Sequence, residues 1–228
     1  MEKEYDTDFY TKIAESNIFL YESCNYEIMS IRNFAAYITA LAYSNKNITD
    51  NLYNNLEIIY KQIADDVNME NRNEMYYLKY TAKLLNLNYN LPALSNDEIS
   101  NDYYSLLLYK KSVRVEEYNE DINSVIVDLL TCADVCSEVN KIESKLKKIN
   151  ILEYETMDEF AVILNLYVCV MKKHDLLTDE IRNSIEQFIQ NQKCLYGYAV
   201  EGAYDFRASI YYTNTLYLLE GGTDIGFR

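Results

Sequence analysis

The fold is decided by residues Arg182–Glu220, RNSIEQFIQNQKCLYGYAVEGAYDFRASIYYTNTLYLLE. Ile185 and Phe188 belong to an apolar stripe on one face of an α-helix whose opposite face is polar. Gly197 and Gly202 then interrupt the helix and predict a short turn. The final segment, IYYTNTLYLL, has almost no polar face. A helix that is apolar on nearly every side must be enclosed by other helices.

The composition of the chain favours long helices. One proline and five glycines in 228 residues leave few positions for tight turns. The net charge of −15 argues against nucleic-acid binding, since phosphate contacts need clustered Lys and Arg. No apolar run is long enough to span a bilayer and no targeting peptide is visible at the start of the sequence. We therefore expect a cytoplasmic protein whose five cysteines are reduced.

Helical patterns occur in ten segments, and their character alternates along the chain. The odd-numbered segments are amphipathic, whereas the even-numbered ones are apolar on most faces, as two concentric layers of helices require. The ten segments lie at 6–23, 30–44, 49–65, 71–87, 96–112, 120–137, 140–149, 157–173, 178–192 and 205–220. Because their connections are short, neighbouring helices are predicted to be antiparallel.

The sequence also contains an internal repeat. Residues 48–57 match residues 177–186 without a gap, and each copy lies between two apolar helices. The helix that follows opens with the same pattern in both copies, Arg72 to Tyr76-Tyr77 and Arg207 to Tyr211-Tyr212. We predict one all-helical domain over residues 1–228, with the repeat covering 30–87 and 157–220. Repeated helical hairpins form either a solenoid or a closed ring.

The C-terminal copy resembles the prenyltransferase/squalene-cyclase repeat. In that family an outer helix ends in Gln, a Gly-aromatic turn follows, and an inner helix begins with a Ser/Thr-x-Tyr-like pattern. Here Gln192, Gly197-Tyr198 and Ser209-Ile210-Tyr211 occupy those places. The resemblance implies a terpenoid-cyclase-like (α/α) toroid, or a partial toroid of about five helical hairpins. The family lines its cavity with aromatic side chains that hold isoprenoids or stabilise carbocations. The Asp-x-Asp-Asp sequence, the proton donor of cationic cyclases in the family, does not occur.

In such a toroid the N-termini of the inner helices surround the mouth of the cavity, which defines a candidate site. Asp205 and Glu201 are the candidate catalytic acids. The candidate ligand-binding residues are Arg72, Tyr76, Tyr77, Tyr198, Arg207, Tyr211 and Tyr212. The alternative is structural: Asp205 caps a helix, Arg207 pairs with it, and the tyrosines fill a dry core.

Two patterns superficially match metal sites. Asp134-Val135-Cys136 with His174 has the residue types of a prenyltransferase zinc site, and residues 65–70 contain the paired carboxylates of a magnesium-diphosphate motif. We interpret the first as a buried helix face and the second as a solvated helix end. The more natural role of His174, at the end of a Lys-Lys-His sequence, is to interact with a helix C-terminus. No metal and no cofactor are therefore predicted.

These patterns favour a toroid without the usual catalytic motifs that binds an apolar chain, either an isoprenoid or a peptide, in an aromatic-lined cavity. One alternative is an active prenyltransferase or terpene cyclase that uses a non-standard acid. A second is a helical-repeat module that binds protein segments. The partners implied are an apolar small molecule or peptide, with a protein partner or a second copy of the chain also open.

Overall fold

The fold is taken from a computed structural model, which describes residues 8–15, 30–44, 49–90, 159–195 and 197–222 and positions 93, 107, 125, 126 and 129. Within these ranges the chain is mostly helical, with one small sheet. The helices are α1 (8–15), α2 (Ile31–Ala42), α3 (Asp50–Asp66), α4 (Arg72–Leu84), α5 (Phe160–Lys173), α6 (Asp179–Asn191) and α7 (Phe206–Leu219). The bounds of α2 to α7 agree with the predicted ones to within three residues at either end, so these helices are confirmed.

Side-chain caps explain why most of these helices begin where they do. In each case the residue before the helix accepts a hydrogen bond from a backbone N–H in the first turn, which otherwise has no partner. The capping residues are Ser30, Thr49, Asn71, Thr178 and Asp205. Thr49 and Thr178 occupy equivalent positions of the sequence repeat, and each accepts at 3.3 Å.

Burial separates the helices into two groups. Eleven of the fourteen residues of α7 are buried, whereas α6 buries Ile189 alone. Most residues of α2, α4 and α5 are also buried, and α3 buries mainly one stripe. We call α2, α4, α5 and α7 the inner helices, and α3 and α6 the outer helices. This division agrees with the alternation of helix character in the sequence.

The inner helices α5 and α7 run parallel to each other. Their N-terminal ends meet where Arg207 pairs with Glu159 at 3.6 Å, and their C-terminal ends meet where Lys172 Nζ donates to the carbonyl of Leu218 at 2.9 Å. The same Lys172 also donates to the carbonyl of Gly222. A cationic side chain thus lies at the C-terminal end of α7, where the helix dipole favours a positive charge.

The inner helices α2 and α7 are parallel as well. The Arg32 guanidinium lies 5.9 Å from the ring centroid of Phe206 near both N-termini, and the Tyr43 hydroxyl donates to Asn214 Oδ1 at 3.1 Å further along both helices. Since α2 also packs on α4, the inner helices contact one another in the order α4, α2, α7, α5. The last helix therefore lies beside the first inner helix.

Each outer helix runs antiparallel to the inner helix that follows it. In the first copy of the repeat, Tyr53 donates to the carbonyl of Leu85 at 2.5 Å while Tyr60 donates to the carbonyl of Leu78 at 3.4 Å. In the second copy, Arg182 donates to the carbonyl of Leu219. Tyr53 and Arg182 correspond in the repeat, so both copies fix the end of an inner helix from the same place on the outer one.

The segment between α6 and α7 corrects the all-α prediction. Instead of a simple turn it forms an antiparallel three-stranded sheet, with β1 (Lys193–Cys194), β2 (Gly197–Val200) and β3 (Ala203–Tyr204) in that order. Two to four residues are too few for a strand pattern to stand out from the sequence. The central strand, β2, packs directly against α7.

Some predicted elements fall outside the described residues. These are most of the helices at 96–112 and 120–137, the whole helix at 140–149, and the ends of the helix at 6–23. Four positions within the first two, 107, 125, 126 and 129, are helical and buried. Of the helices in the described ranges, none combines the length and the apolar character that a membrane span needs.

Candidate functional site

Asp205 begins α7 and its carboxylate is engaged on both oxygens. Oδ1 accepts a hydrogen bond from the backbone N–H of Ala208 at 2.8 Å, and Oδ2 lies 3.7 Å from the guanidinium of Arg207. Arg207 in turn pairs with Glu159 at 3.6 Å and lies 5.7 Å from the ring centroid of Phe206. These contacts join the N-terminal ends of α5 and α7. They are the capping and pairing roles of the structural alternative, and they do not test a catalytic role.

Glu201 lies apart from the buried candidates. It is exposed at the turn between β2 and β3 and has a φ of +51°, followed by Gly202 at +81°. The turn requires these left-handed backbone angles, which glycine adopts at low cost. Glu201 is thus positioned by the reversal of the chain, on the outside of the sheet.

Tyr198 is the point where the sheet, α1 and α7 meet. Its side chain is fully buried, its hydroxyl lies 3.0 Å from the hydroxyl of Tyr10, and its ring packs edge-on against Tyr212 at 5.7 Å. Its backbone N–H donates to Ser209 Oγ at 3.0 Å. The Lys193 ammonium lies over the ring of Phe9 at 4.3 Å, which fixes α1 to β1. The structure therefore brings Tyr198 and Tyr212 together.

Tyr76 and Tyr77 lie buried on α4 and face different neighbours. Tyr77 packs edge-on against Phe206 of α7 at 5.5 Å, while Tyr76 is stacked with Tyr80 at 6.4 Å. Tyr76 and Tyr77 also contact each other edge-on at 5.2 Å. Tyr77 thus connects α4 directly to α7.

The remaining candidates complete this aromatic interior. Tyr211 is fully buried on α7, and Tyr212 packs edge-on against Phe188 of α6 at 5.9 Å. Arg72, at the start of α4, places its guanidinium 3.5 Å from Met75 Sδ in its own helix. Six of the nine candidates, Tyr76, Tyr77, Tyr198, Arg207, Tyr211 and Tyr212, are therefore buried or nearly so on the inner helices and β2.

A set of buried polar side chains, which the sequence analysis did not select, crosses the inner helices at one level. Tyr80 OH lies 3.0 Å from Thr39 Oγ1 and accepts from Asn214 Nδ2 at 3.2 Å. The Asn214 carbonyl oxygen accepts from Tyr43 at 3.1 Å, and the next residue, Thr215, accepts from Asn165 Nδ2 at 3.1 Å. We call these six residues the polar belt: Thr39, Tyr43, Tyr80, Asn165, Asn214 and Thr215.

The polar belt draws on all four inner helices. Among the described residues, the buried polar side chains other than tyrosine all belong to these helices: Thr39, Thr81, Asn165, Ser209, Thr213, Asn214 and Thr215. A signal for them exists in the sequence, because each interrupts an apolar helix. Single polar residues in apolar segments are common, however, and the pattern does not show which of them meet.

Asn165 Oδ1 and Thr81 Oγ1 have no hydrogen-bond partner within the described part of the chain, and both residues have zero relative exposure. A buried acceptor without a hydrogen bond costs about 1–3 kcal/mol, so each such atom calls for an explanation. A bound molecule that donates a hydrogen bond would supply one.

Burial is the main cause of the pKa shifts of the ionisable groups near the inner helices. Burial, with the neighbouring Tyr89 as the smaller contribution, raises the pKa of Tyr60 to about 12. Burial lowers the pKa of Lys79 and that of Lys172 from the usual value, and the charge of Arg182 acts on Lys172 in the same direction. The polar belt itself consists of uncharged side chains. It is suited to hydrogen bonding rather than to holding a charged group.

The described residues of the two metal patterns do not form a cluster of metal ligands. Within the described ranges, no group of three or more His, Cys, Asp or Glu side chains is placed to hold a metal ion. Asp65, Asp66 and Glu70 are exposed at the end of α3, and His174 is the C-cap residue of α5. Asp134 and Cys136 lie outside the described residues.

The chain matches no known protein family, no curated protein and no solved structure.

Proposed function

We propose that this protein binds an apolar chain of isoprenoid type between its inner helices, in a toroid similar to that of the terpenoid cyclases and prenyltransferases. The observation that carries the proposal is a tyrosine-rich interior that contains the polar belt and unpartnered buried atoms, Asn165 Oδ1 of the belt and Thr81 Oγ1 next to Tyr80 in the chain. Ligand sites of this kind are mostly apolar, with a few placed polar groups that orient the ligand.

The order of the inner helices supports a ring. In an open solenoid each repeat contacts its sequence neighbours, so the last repeat lies far from the first. Here α7 packs on α2 as well as on α5. Parallel inner helices with antiparallel outer ones are also what a toroid of helical hairpins requires. A tetratricopeptide-like module would not place α7 beside α2.

The geometry favours binding over proton transfer by the two candidate acids. Asp205 caps α7 and pairs with Arg207, and Glu201 is exposed on the sheet. The Asp205 carboxylate thus serves the local structure, the Glu201 side chain is exposed, and the buried belt that would contact a ligand is uncharged. An apolar ligand would therefore be held rather than converted by these groups.

Native mass spectrometry tests the proposal directly. The protein is incubated with farnesol, with farnesyl diphosphate and, separately, with a short leucine-rich peptide. We expect a one-to-one complex with at least one of the isoprenoids. No complex with either isoprenoid at high micromolar concentration would overturn the proposal, and a complex with the peptide alone would replace the isoprenoid by a peptide.

Two further measurements distinguish an interior site from adsorption at the surface. A ligand that binds only the folded state increases the free energy of unfolding by about 2.7 kcal/mol when its free concentration is 100 times Kd. The thermal midpoint rises as a result. The chain has 24 Tyr and no Trp, so intrinsic tyrosine fluorescence reports on the aromatic interior. Mass shifts without a rise in the midpoint and without a change in fluorescence would indicate surface adsorption and contradict the proposal.

A further inference from the structure

Asn165 lies in the middle of α5 among apolar residues. Its neighbours Ile163, Leu164 and Leu166 are buried, and Asn165 itself is fully buried. A leucine of nearly the same size and shape would fit the pattern of the helix. The amide is therefore a polar group in an otherwise apolar segment, and its hydrogen bonds indicate its role.

Thr215 fixes the orientation of the Asn165 amide. The Thr215 hydroxyl donates its proton to the carbonyl of Tyr211 at 2.7 Å, so towards Asn165, at 3.1 Å, it can act only as an acceptor. Asn165 must therefore present its NH₂ group to Thr215. Its carbonyl oxygen, Oδ1, is left pointing elsewhere, without a donor among the described residues.

The bond to Thr215 does not by itself account for an amide at this position. Thr215 is already satisfied by its own helix through Tyr211, so replacing Asn165 would leave no polar atom of α7 without a partner. What Asn165 adds to the interior is one fixed, buried hydrogen-bond acceptor. Buried acceptors of this kind are used in binding sites to select ligands that can donate.

We propose that Asn165 Oδ1 accepts a hydrogen bond from the ligand, so that the interior selects apolar chains carrying a donor, such as an isoprenoid alcohol, over chains that lack one. This inference rests on the proposed function and names the ligand class of the same site. Asn165 is then a specificity-determining residue, held in place by Thr215 and Tyr211.

The test compares farnesol with farnesyl methyl ether, which keeps the apolar chain and the oxygen but has no hydrogen to donate. We expect the native protein to bind farnesol at least about 10-fold more tightly, because the ether leaves the buried acceptor unpaired. In Asn165→Leu the affinities for farnesol and for the ether should become about equal, mainly because the ether binds more tightly. Dissociation constants come from titration of tyrosine fluorescence.

Thr213→Val is the matched control. Thr213 is buried on α7 directly before the belt residue Asn214, and its hydroxyl donates to the carbonyl of Ser209 in its own helix at 2.6 Å. Removing this satisfied hydroxyl should leave the preference for farnesol unchanged. If circular dichroism shows that Asn165→Leu does not fold, Asn165→Met replaces it, since an unbranched side chain adapts to irregular space.

The outcomes separate this inference from the proposed function. Equal affinity of the native protein for alcohol and ether would overturn the role of Asn165 while leaving an apolar binding site in place. Binding of farnesyl diphosphate without binding of farnesol would have the same consequence. An unchanged preference in whichever Asn165 variant folds would also overturn it. Failure of all three ligands to bind would remove the proposed function, and the inference with it.

Discussion

The contact between β2 and α7 depends on a glycine, and Gly197→Ala tests it. Gly197 has a φ of +150°, and a Cβ at this position would lie 2.3 Å from Ser209 Oγ and 3.2 Å from the ring of Tyr204. Ser209 Oγ is held in place, because it also accepts the backbone N–H of the fully buried Tyr198. Relieving the overlap would move β2 away from α7.

The expected loss of stability combines three effects. Overpacking costs about 1–3 kcal/mol, and a backbone conformation that suits glycine alone costs about 1–3 kcal/mol more in alanine. Alanine also lowers the conformational entropy of the unfolded chain, which offsets about 0.4–1 kcal/mol of this loss. We therefore expect the free energy of unfolding to fall by roughly 3 kcal/mol. For a chain of this length that corresponds to a drop in Tm of about 6–12 °C. Urea denaturation and a thermal scan followed by circular dichroism measure both quantities.

Gly202→Ala is the control for this experiment. Gly202 has a φ of +81°, but a Cβ there meets nothing within 4 Å. Its replacement should cost only the backbone term, about 1–2 kcal/mol. If Gly197→Ala proves no more damaging than Gly202→Ala, the close approach of β2 to α7 is wrong. A double variant with Ser209→Ala sharpens the test, because removing Oγ should reduce the cost of Gly197→Ala if steric overlap is its cause.

Three further predictions concern the belt, the caps and the response to pH. Tyr80→Phe leaves the Asn214 amide without its acceptor, so urea denaturation should show a loss of about 1–3 kcal/mol; a loss below experimental error would contradict the belt. Thr49→Ala and Thr178→Ala should each cost about 1 kcal/mol, and clearly unequal costs would argue against equivalent caps. Tyr60 ionises near 10.0 when unfolded but near 12 when folded, so its contribution to stability is lost as the pH rises between those values. Tyr60→Phe should flatten the fall of the urea midpoint over that range, and an equally steep fall would refute the assignment.

Local sequence determined the helices of the described part of the chain. Periodicity identifies α2 to α7 because an apolar stripe repeats with the period of the helix, and Thr178 and Asp205 mark starts through a chemistry that acts within one turn. The alternation of apolar and amphipathic segments also indicated which helices are inner. These properties depend on residues close together in sequence, so they can be recognised without the fold.

The environment of the candidate residues was decided by the tertiary structure. The sequence placed Asp205 at the start of a helix, but only packing brings Arg207 to Glu159, which precedes it by 48 residues. The β-sheet was missed because its strands are stabilised by contact with α7 rather than by their own pattern.

The polar belt shows most clearly what the local sequence cannot determine. Asn165 and Thr215 are 50 residues apart, and Tyr43 and Asn214 are 171 apart, so no local pattern connects them. Sequence alone determined that apolar helices had to be enclosed, because an exposed apolar face is unfavourable in water. Which polar atoms then meet inside, and which are left without a partner, depends on the relative placement of four helices, and that is a property of the folded chain alone.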